Sequence, residues 1–299
     1  MPKTMTVEEF SQLFPDEDAC LDHLFIRRFG HLDTCPKCSK ETTFYRLPKD
    51  PAYSCKWCGH HLHPMVGTPF EKSHTSLWRW YYAIYLFTNS RHGVSAKELQ
   101  RKFGCSYKTA WRMGHEIRKY MASIDPQGPL SGNVEVDETY VGGKDKKGRG
   151  KRGARALDNK AVVMGMVSRE TGEVITHVVP NNKGKTLVPL VRKYVLLNAK
   201  VHTDEHPGYV KLAYQGYRHE TVNHSAGEYA KPSGSHTNTI EGFFGIIKRS
   251  IKSTHIHVSP KYLPLYLGEF EFRYNLRKVP SEMFPRMVSF PRSSFRAQR

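Results

Sequence analysis

The spacing of apolar residues changes character partway along the chain. From Thr75 to Thr88, Leu77, Trp78, Trp80, Tyr81, Ala83, Ile84, Leu86 and Phe87 make the surface apolar almost all round, which predicts a buried helix. Ser95, with Glu98 three residues later, fits a capping box at a helix start. Leu99 and Phe103 share one face of that helix, and Gly104 supplies a turn. A second helix is expected from about Ser106, with Ala110, Met113, Ile117 and Met121 on one stripe and Lys108, Arg112, Arg118 and Lys119 largely off it. Short helix, glycine turn and longer basic helix make a helix-turn-helix, whose second helix fits the major groove of DNA, or else a plain helical hairpin.

Between Asp125 and Asn133 turn formers dominate and helical periodicity stops, which marks a boundary. Beyond it the pattern is that of strands. Asn133–Val141, Ala161–Val167 and Val174–Val179 read as three strands, Thr186–Leu197 as a helix, Lys200–Asp204 as a fourth strand, Arg218–Asn223 as another, and Asn238–Arg249 as a helix. Three strands, a helix, a strand and further α/β elements is the order of an RNase H-like domain with a mixed sheet.

Charge narrows the partners. In 299 residues, 46 Lys and Arg face 28 Asp and Glu, a formal charge of +18. Such a surface attracts polyanions, because each neutralised phosphate releases condensed counterions. No basic amphipathic helix with a clean apolar face points to a membrane, and no apolar run approaches the ~20 residues that span a bilayer. The opening residues lack an apolar signal region, so a cytoplasmic protein is expected.

Cys35-Pro-Lys-Cys38 and Cys55-Lys-Trp-Cys58 are two C-x2-C pairs separated by sixteen residues. Each can turn two thiolates toward one point, and together they complete a tetrahedral four-cysteine zinc site. Two disulfides or free thiols are the alternative. Short strands around Pro48–Pro51 make this a zinc ribbon, so small that the metal must supply most of its folding energy, about 10–16 kcal/mol by analogy with zinc fingers. His60, His61 and His63 are expected as surface residues, and Cys20 and Cys105 as packing residues.

The acidic residues suggest the chemistry. Asp137 lies in the first strand, Asp204 ends the fourth, and Glu241 sits on a later helix; in an RNase H-like fold these places converge. Carboxylates so close resist ionisation unless divalent cations join them, and two such ions can serve phosphodiester cleavage. Glu135 and Glu138 flank Asp137, so the ligand there is left open; alternation puts Glu135 on the same face as Asp137 and Glu138 on the opposite one. Lys248 follows Glu241 by seven residues, on the same helical face. Between Gly143 and Arg155, seven basic residues, Lys146, Lys147, Arg149, Lys151 and Arg152 among them, accompany only Asp145. That segment either tracks a DNA backbone or is merely solvated.

Val134-Glu-Val-Asp-Glu-Thr-Tyr-Val-Gly-Gly143, His202-Thr-Asp204, Ser235-His-Thr-Asn-Thr-Ile-Glu-Gly-Phe-Phe-Gly-Ile-Ile-Lys-Arg249 and Cys35-Pro-Lys-Cys38 resemble the ISXO-type branch of bacterial insertion-sequence transposases. Glu271-Phe-Arg-Tyr-Asn-Leu-Arg277 resembles the end of that family's catalytic domain, and the likeness covers about residues 7 to 278. It implies that Asp137, Asp204 and Glu241 form the acidic triad and Lys248 the downstream basic residue. Asn238 and His202 take supporting roles, and a multimer holds two DNA ends. Some members carry Asn at the third acidic position; this chain is the acidic variant.

The expected layout is therefore an N-terminal segment and zinc ribbon over 1–66 and a helix-turn-helix region over 67–124. A catalytic domain follows over 125–280, then a basic tail over 281–299. The expected activity is DNA transposition with two Mg2+ or Mn2+ ions and one structural Zn2+. Lys108, Arg112, Lys248, Arg249 and the basic segment are the expected DNA contacts, in a bacterial cytoplasm. A transposase-derived DNA-binding regulator without catalysis and an RNase H-like nuclease are the two other readings.

Overall fold

The computed structural model describes residues 4–125, 128–142, 160–222 and 236–290. The chain divides into two compact units, one of residues 1–90, 96–120 and 278–299, the other of 91–95 and 121–277. No helix among the described residues is long and apolar enough to cross a membrane.

The first unit opens with α1 (Val7–Leu13), started by a reciprocal cap in which Glu9 N–H donates to the Thr6 hydroxyl and Thr6 N–H donates to the Glu9 carboxylate. Asp16 caps α2 (Glu17–Phe29) by accepting from Ala19 N–H at 2.8 Å. Strands β1 (Phe44–Arg46), β2 (Tyr53–Cys55) and β3 (His61–Leu62) form a three-stranded antiparallel sheet in that order. Phe25 of α2 stacks on Tyr53 with ring centroids 3.8 Å apart. Helix α3 (Leu77–Asn89) is the buried helix expected, with Trp80, Tyr81, Ala83, Ile84 and Phe87 inside.

Next come α4 (Ala96–Phe103) and α5 (Tyr107–Ile124), joined through Gly104 at φ +60°, a conformation glycine adopts without steric cost. The Ser106 hydroxyl accepts from Thr109 N–H and starts α5. The stripe Ala110, Met113, Ile117 and Met121 is buried, while Lys108, Arg112 and Lys119 are exposed. Arg118 departs from expectation. It is buried, with its guanidinium 5.0 Å over the Phe87 ring, so it belongs to the packing and not to a groove-facing surface.

The stretch from Ser281, expected as tail, is folded as far as Phe290. A short helix, Met283–Met287, buries Met283, Phe284 and Met287. Phe284 packs against Phe10 and Phe14, and Phe290 stacks on Tyr120 at 4.5 Å. Apolar side chains every few residues hold this stretch where its arginines alone suggest a solvated end.

The second unit is built on one sheet of β4 (Asn133–Val141), β5 (Ala161–Ser168), β6 (Val174–Val179), β7 (Lys200–Asp204) and β8 (Arg218–Val222), in the order β6-β5-β4-β7-β8. The first three strands pair antiparallel, and β7 and β8 join parallel. Helices α6 (Gly184–Tyr194) and α7 (Lys211–Tyr214) precede α8 (Asn238–Ser250) and α9 (Leu263–Asn275). The helix expected to Leu197 stops at Tyr194, because Val195 turns extended to bridge Leu130. Val134, Val136, Met164 and Met166 face α6, while Val163, Val167 and Val174 face α8 and α9. Helices on both faces of a mixed sheet realise the RNase H-like layout.

Strand β6 is an edge, and α9 closes it. Val174 N–H donates to the Asn275 side chain at 2.8 Å, and Thr176 N–H to the Glu271 carboxylate at 2.8 Å. Unpaired strand N–H groups, which otherwise invite another strand, are thereby satisfied.

Candidate active site and metal centres

In the first unit the two cysteine pairs repeat one local geometry. Ser39 N–H donates to Cys35 O as Gly59 N–H does to Cys55 O, and Lys37 N–H points at Cys35 Sγ as Trp57 N–H does at Cys55 Sγ. Ser39 and Gly59 both take positive φ, +57° and +66°, to close the turns. All four sulfurs lie within 4.8 Å of one another, with Cys35–Cys58 at 3.6 Å and Cys38–Cys55 at 3.9 Å. Thiolates placed tetrahedrally at ~2.3 Å from zinc stand about 3.8 Å apart, so this donor set fits a single structural Zn2+.

In the second unit the acids gather where β7 ends, at Asp204, beside the middle of β4, which carries Asp137 and Glu138. The pairing of these strands runs Asn133–Lys200, Val134–Val201 and Glu135–His202, and the same offset sets Asp137 beside Asp204. Carboxylate oxygens of Asp137, Glu138 and Asp204 lie within 4.8 Å of one another. Asp137 Oδ1 accepts from Glu138 N–H at 2.7 Å, and Asp204 Oδ1 from His206 N–H at 3.0 Å, which fixes both groups.

Glu138 joins this group although alternation assigns it to the other face. The assignment of faces holds, since Val134 and Val136 line the α6 side with Tyr209. Strand β7, however, ends at Asp204, so beyond it carboxylates from both faces of β4 can meet around one edge. Burial, first of all, raises the Asp137 carboxyl to about 7, with the charges of Asp204 and Glu241 adding to it and that of Lys248 opposing it. Burial likewise raises Glu138 to about 8, opposed by the Tyr209 hydroxyl and reinforced by Asp137 and Asp204. Neither Glu138 Oε1 nor the buried Tyr209 hydroxyl meets a partner at regular hydrogen-bond geometry. Hard oxygen donors crowded beside an unmatched buried oxygen fit a divalent cation such as Mg2+ or Mn2+.

Four more of the expected site residues, Asn238, Glu241, Lys248 and Arg249, lie on α8. Asn238, Glu241 and Lys248 are exposed and spaced three and seven residues apart, hence on one face. Glu241 Oε1 accepts from the Thr237 hydroxyl at 2.8 Å. Its charge and that of Lys248 reach Asp137, but its carboxylate stands outside the tight group of three. Arg249 is exposed in the last turn. Helix α8 comes this close because Asp137 pairs with Gly165, where a Cβ would meet Ile240 Cδ1 at 2.7 Å and the Phe244 ring at 2.8 Å. His202 is buried, held by Asn133 Oδ1 at 3.0 Å from its Nε2, and burial lowers it to about 4. It ties β7 to β4 as a neutral ring.

Glu135, left open as a ligand, turns away from the cluster and is fully buried against the start of α8. Lys146, Lys147, Arg149, Lys151 and Arg152 lie outside the described residues.

Comparison with known proteins agrees with this geometry. Residues 129–275 match the family model of the ISXO2-like transposase domain, and residues 15–61 that of a transposase zinc-ribbon domain. A protein of Halobacterium salinarum, described as an uncharacterized protein in transposable element ISH50, is 30% identical over 268 residues, 83% of this chain and 87% of its own length. An uncharacterized transposase-like protein of Haemophilus influenzae is 30% identical over 111 residues, 37% of this chain and 88% of its own length.

Proposed function

Because the chain belongs to the ISXO2-like transposase family, we propose that it binds the terminal inverted repeats of its own mobile element and cuts and rejoins DNA. The observation that carries this reading is the meeting of the Asp137, Glu138 and Asp204 carboxylates within 4.8 Å of one another, where β7 ends beside β4. Two divalent ions held by Asp137, Asp204 and either Glu138 or Glu241 would supply Lewis acidity to the attacking and leaving oxygens.

The chain's own groups do the rest. Lys248 and Arg249 hold phosphate oxygens beside the acids by charge-assisted hydrogen bonds. Asn238 steadies the strand near Glu241. The zinc ribbon, with Lys108 and Arg112 on α5, binds the element's ends, and the basic segment carrying Lys146, Lys147, Arg149, Lys151 and Arg152 adds phosphate contacts. A multimer holds two ends together.

In the first step the oxygen of water bonds to phosphorus while the bond from phosphorus to the 3′ oxygen breaks. That oxygen leaves with the electron pair and ends protonated, as a 3′-hydroxyl. In the second step this hydroxyl oxygen attacks a target phosphorus and displaces another 3′ oxygen. One ester forms for each that breaks, so joining needs no external energy source.

Labelled duplexes taken from the DNA flanking the gene, incubated with the protein and Mg2+, test the proposal. Nicks at the element's ends and joined products are expected. Nicks without joined products favour a nuclease, and end binding by the wild type without nicks, with a biological effect that Asp204→Ala leaves unchanged, favours a regulator.

A further inference from the structure

Helix α8 lacks a cap of its own, since the Thr237 side chain makes no hydrogen bond to the helix backbone. The first N–H groups of a helix need an acceptor, and a negative charge there also meets the helix dipole favourably. The acceptor comes from more than a hundred residues earlier, on β4. Glu135 Oε2 accepts from Thr239 N–H at 2.8 Å and Ile240 N–H at 3.0 Å, and Oε1 accepts from the Thr239 hydroxyl at 2.9 Å.

The same carboxylate is itself fixed. Arg169 Nε donates to Oε1 at 2.6 Å, while Arg169 Nη2 donates to the His236 carbonyl at 2.6 Å, just before the helix. His236 Nδ1 lies 2.9 Å from the same Oε1. A fully buried glutamate with this many donors is compensated, and removing it strands both the Arg169 charge and the helix amides.

Its place along the chain gives the clamp a purpose. Glu135 is two residues from Asp137 on one strand face, and Glu241 is one residue beyond Ile240. One side chain thus ties the strand carrying the first acid to the helix carrying the third. We propose that Glu135 is a positioning residue: as the missing N-cap of α8, it sets Glu241 and Lys248 in register with Asp137. This rests on the proposed transposase chemistry for its purpose, though not for its structural content. Displacing a reacting group by about 1 Å can cost about 10²-fold in rate.

The test uses the full-length, zinc-loaded protein and its Glu135→Gln variant, which keeps the side chain's shape and loses its charge. Three quantities are read: amide exchange at Thr239 and Ile240 against amides of β5, Mn2+ uptake by paramagnetic resonance, and cleavage of the flanking duplex. The expected result is at least about tenfold faster exchange confined to the start of α8, weaker Mn2+ uptake, and a kcat lower by about 10²-fold with KM for DNA unchanged. Unaltered exchange overturns the clamp whether or not the wild type cuts DNA. Faster exchange with wild-type Mn2+ uptake and kcat overturns the positioning role. Where wild type neither takes up Mn2+ nor cuts, the transposase reading fails, and the exchange result still decides the clamp. Should Glu135→Gln not fold, Arg169→Lys, which retains the charge but not the two-pronged grip, is expected to give a milder form of the same three changes; unchanged values there overturn the proposal.

Discussion

Asp137 and Asp204 stand level on neighbouring parallel strands, two residues past the pair Glu135–His202 that ends their ladder. Strands paired in a sheet lie about 4.8 Å apart, so two same-face carboxylates in this register are forced together. Their mutual repulsion is a cost in the metal-free protein, one that a bound cation would relieve. Asp137→Asn and Asp204→Asn should each lower the rate of DNA cleavage by on the order of 10²–10³-fold, the scale of losing one electrostatic contact in a reaction site. Urea melts of the metal-free variants should show stability equal to or above wild type. A variant that loses stability along with activity identifies the carboxylate as part of the packing.

Protons compete with metal for this site. Asp137 at about 7 and Glu138 at about 8 sit above the ordinary carboxylate range, chiefly through burial, so near neutrality they retain protons that a cation must displace. Mn2+ affinity should therefore climb from pH 6 to pH 8 and level off above it. The folded state binds these protons more tightly than the unfolded chain, so the metal-free protein should lose stability as pH rises from the ordinary values, 3.8 and 4.5, toward about 7 and about 8. Glu138→Gln should flatten the upper part of the affinity curve. Calorimetric Mn2+ titrations in buffers of different ionisation enthalpy report the released protons directly.

Much of this arrangement is legible in the residues. Strands β5, β6 and β7 are dense in apolar or β-branched residues bounded by turn formers, and their limits follow. Asp137 and Asp204 stand out because the first is an acid within the first strand and the second closes the fourth. Glu138 is harder, because alternation describes a strand inside a sheet and says nothing of what happens where its neighbour stops. Spacing puts Glu135 on the face of Asp137 and leaves its role open, since the partners that claim it lie on α8 and in a turn after β5. The short α1 carries a readable capping box in Thr6 and Glu9, but seven residues with one buried phenylalanine leave little periodic pattern. Helix α9 mixes buried glutamates and an arginine with its apolar residues, so its inner face is not marked by polarity.

The glycine opposite Asp137 gives a direct handle on the approach of α8. A methyl at Gly165 would collide with Ile240 and Phe244, both on that helix. Gly165→Ala should destabilise the protein by about 1–3 kcal/mol through overpacking and push Glu241 away from Asp137. Cleavage should fall more than stability explains, which is checked by measuring the rate well below the melting temperature. Zinc content should not change.

Zinc and the catalytic unit should separate cleanly. Cys35→Ser removes one thiolate from a four-sulfur set in a ribbon whose strands are only two or three residues long. Such a fold draws about 10–16 kcal/mol from its metal by analogy with zinc fingers. The variant should lose bound zinc and bind element ends more weakly, while amides of β4 to β8 keep their exchange protection. Full zinc content in the variant argues against the four-cysteine site.

Glu271 offers the sharpest pH test away from the proposed chemistry. It is fully buried on α9, accepts from Thr176 N–H and the Thr176 hydroxyl, and is raised to about 8, burial being the main cause and the charge of Asp125 a further one. An acid whose folded pKa is raised binds its proton more strongly in the folded state. Its contribution to stability is therefore complete below the unfolded value, near 4.5, and is lost as pH rises toward about 8. Glu271→Gln keeps an oxygen for Thr176 N–H and cannot ionise. The variant should thus gain on wild type steadily between pH 5 and pH 8, by at most about 1.4 kcal/mol per pH unit. Chemical denaturation of both proteins at several pH values reads this difference, and the other titrating groups cancel in the subtraction. A flat difference means that Glu271 is already ionised in the fold, and the edge of β6 is then held by a charge.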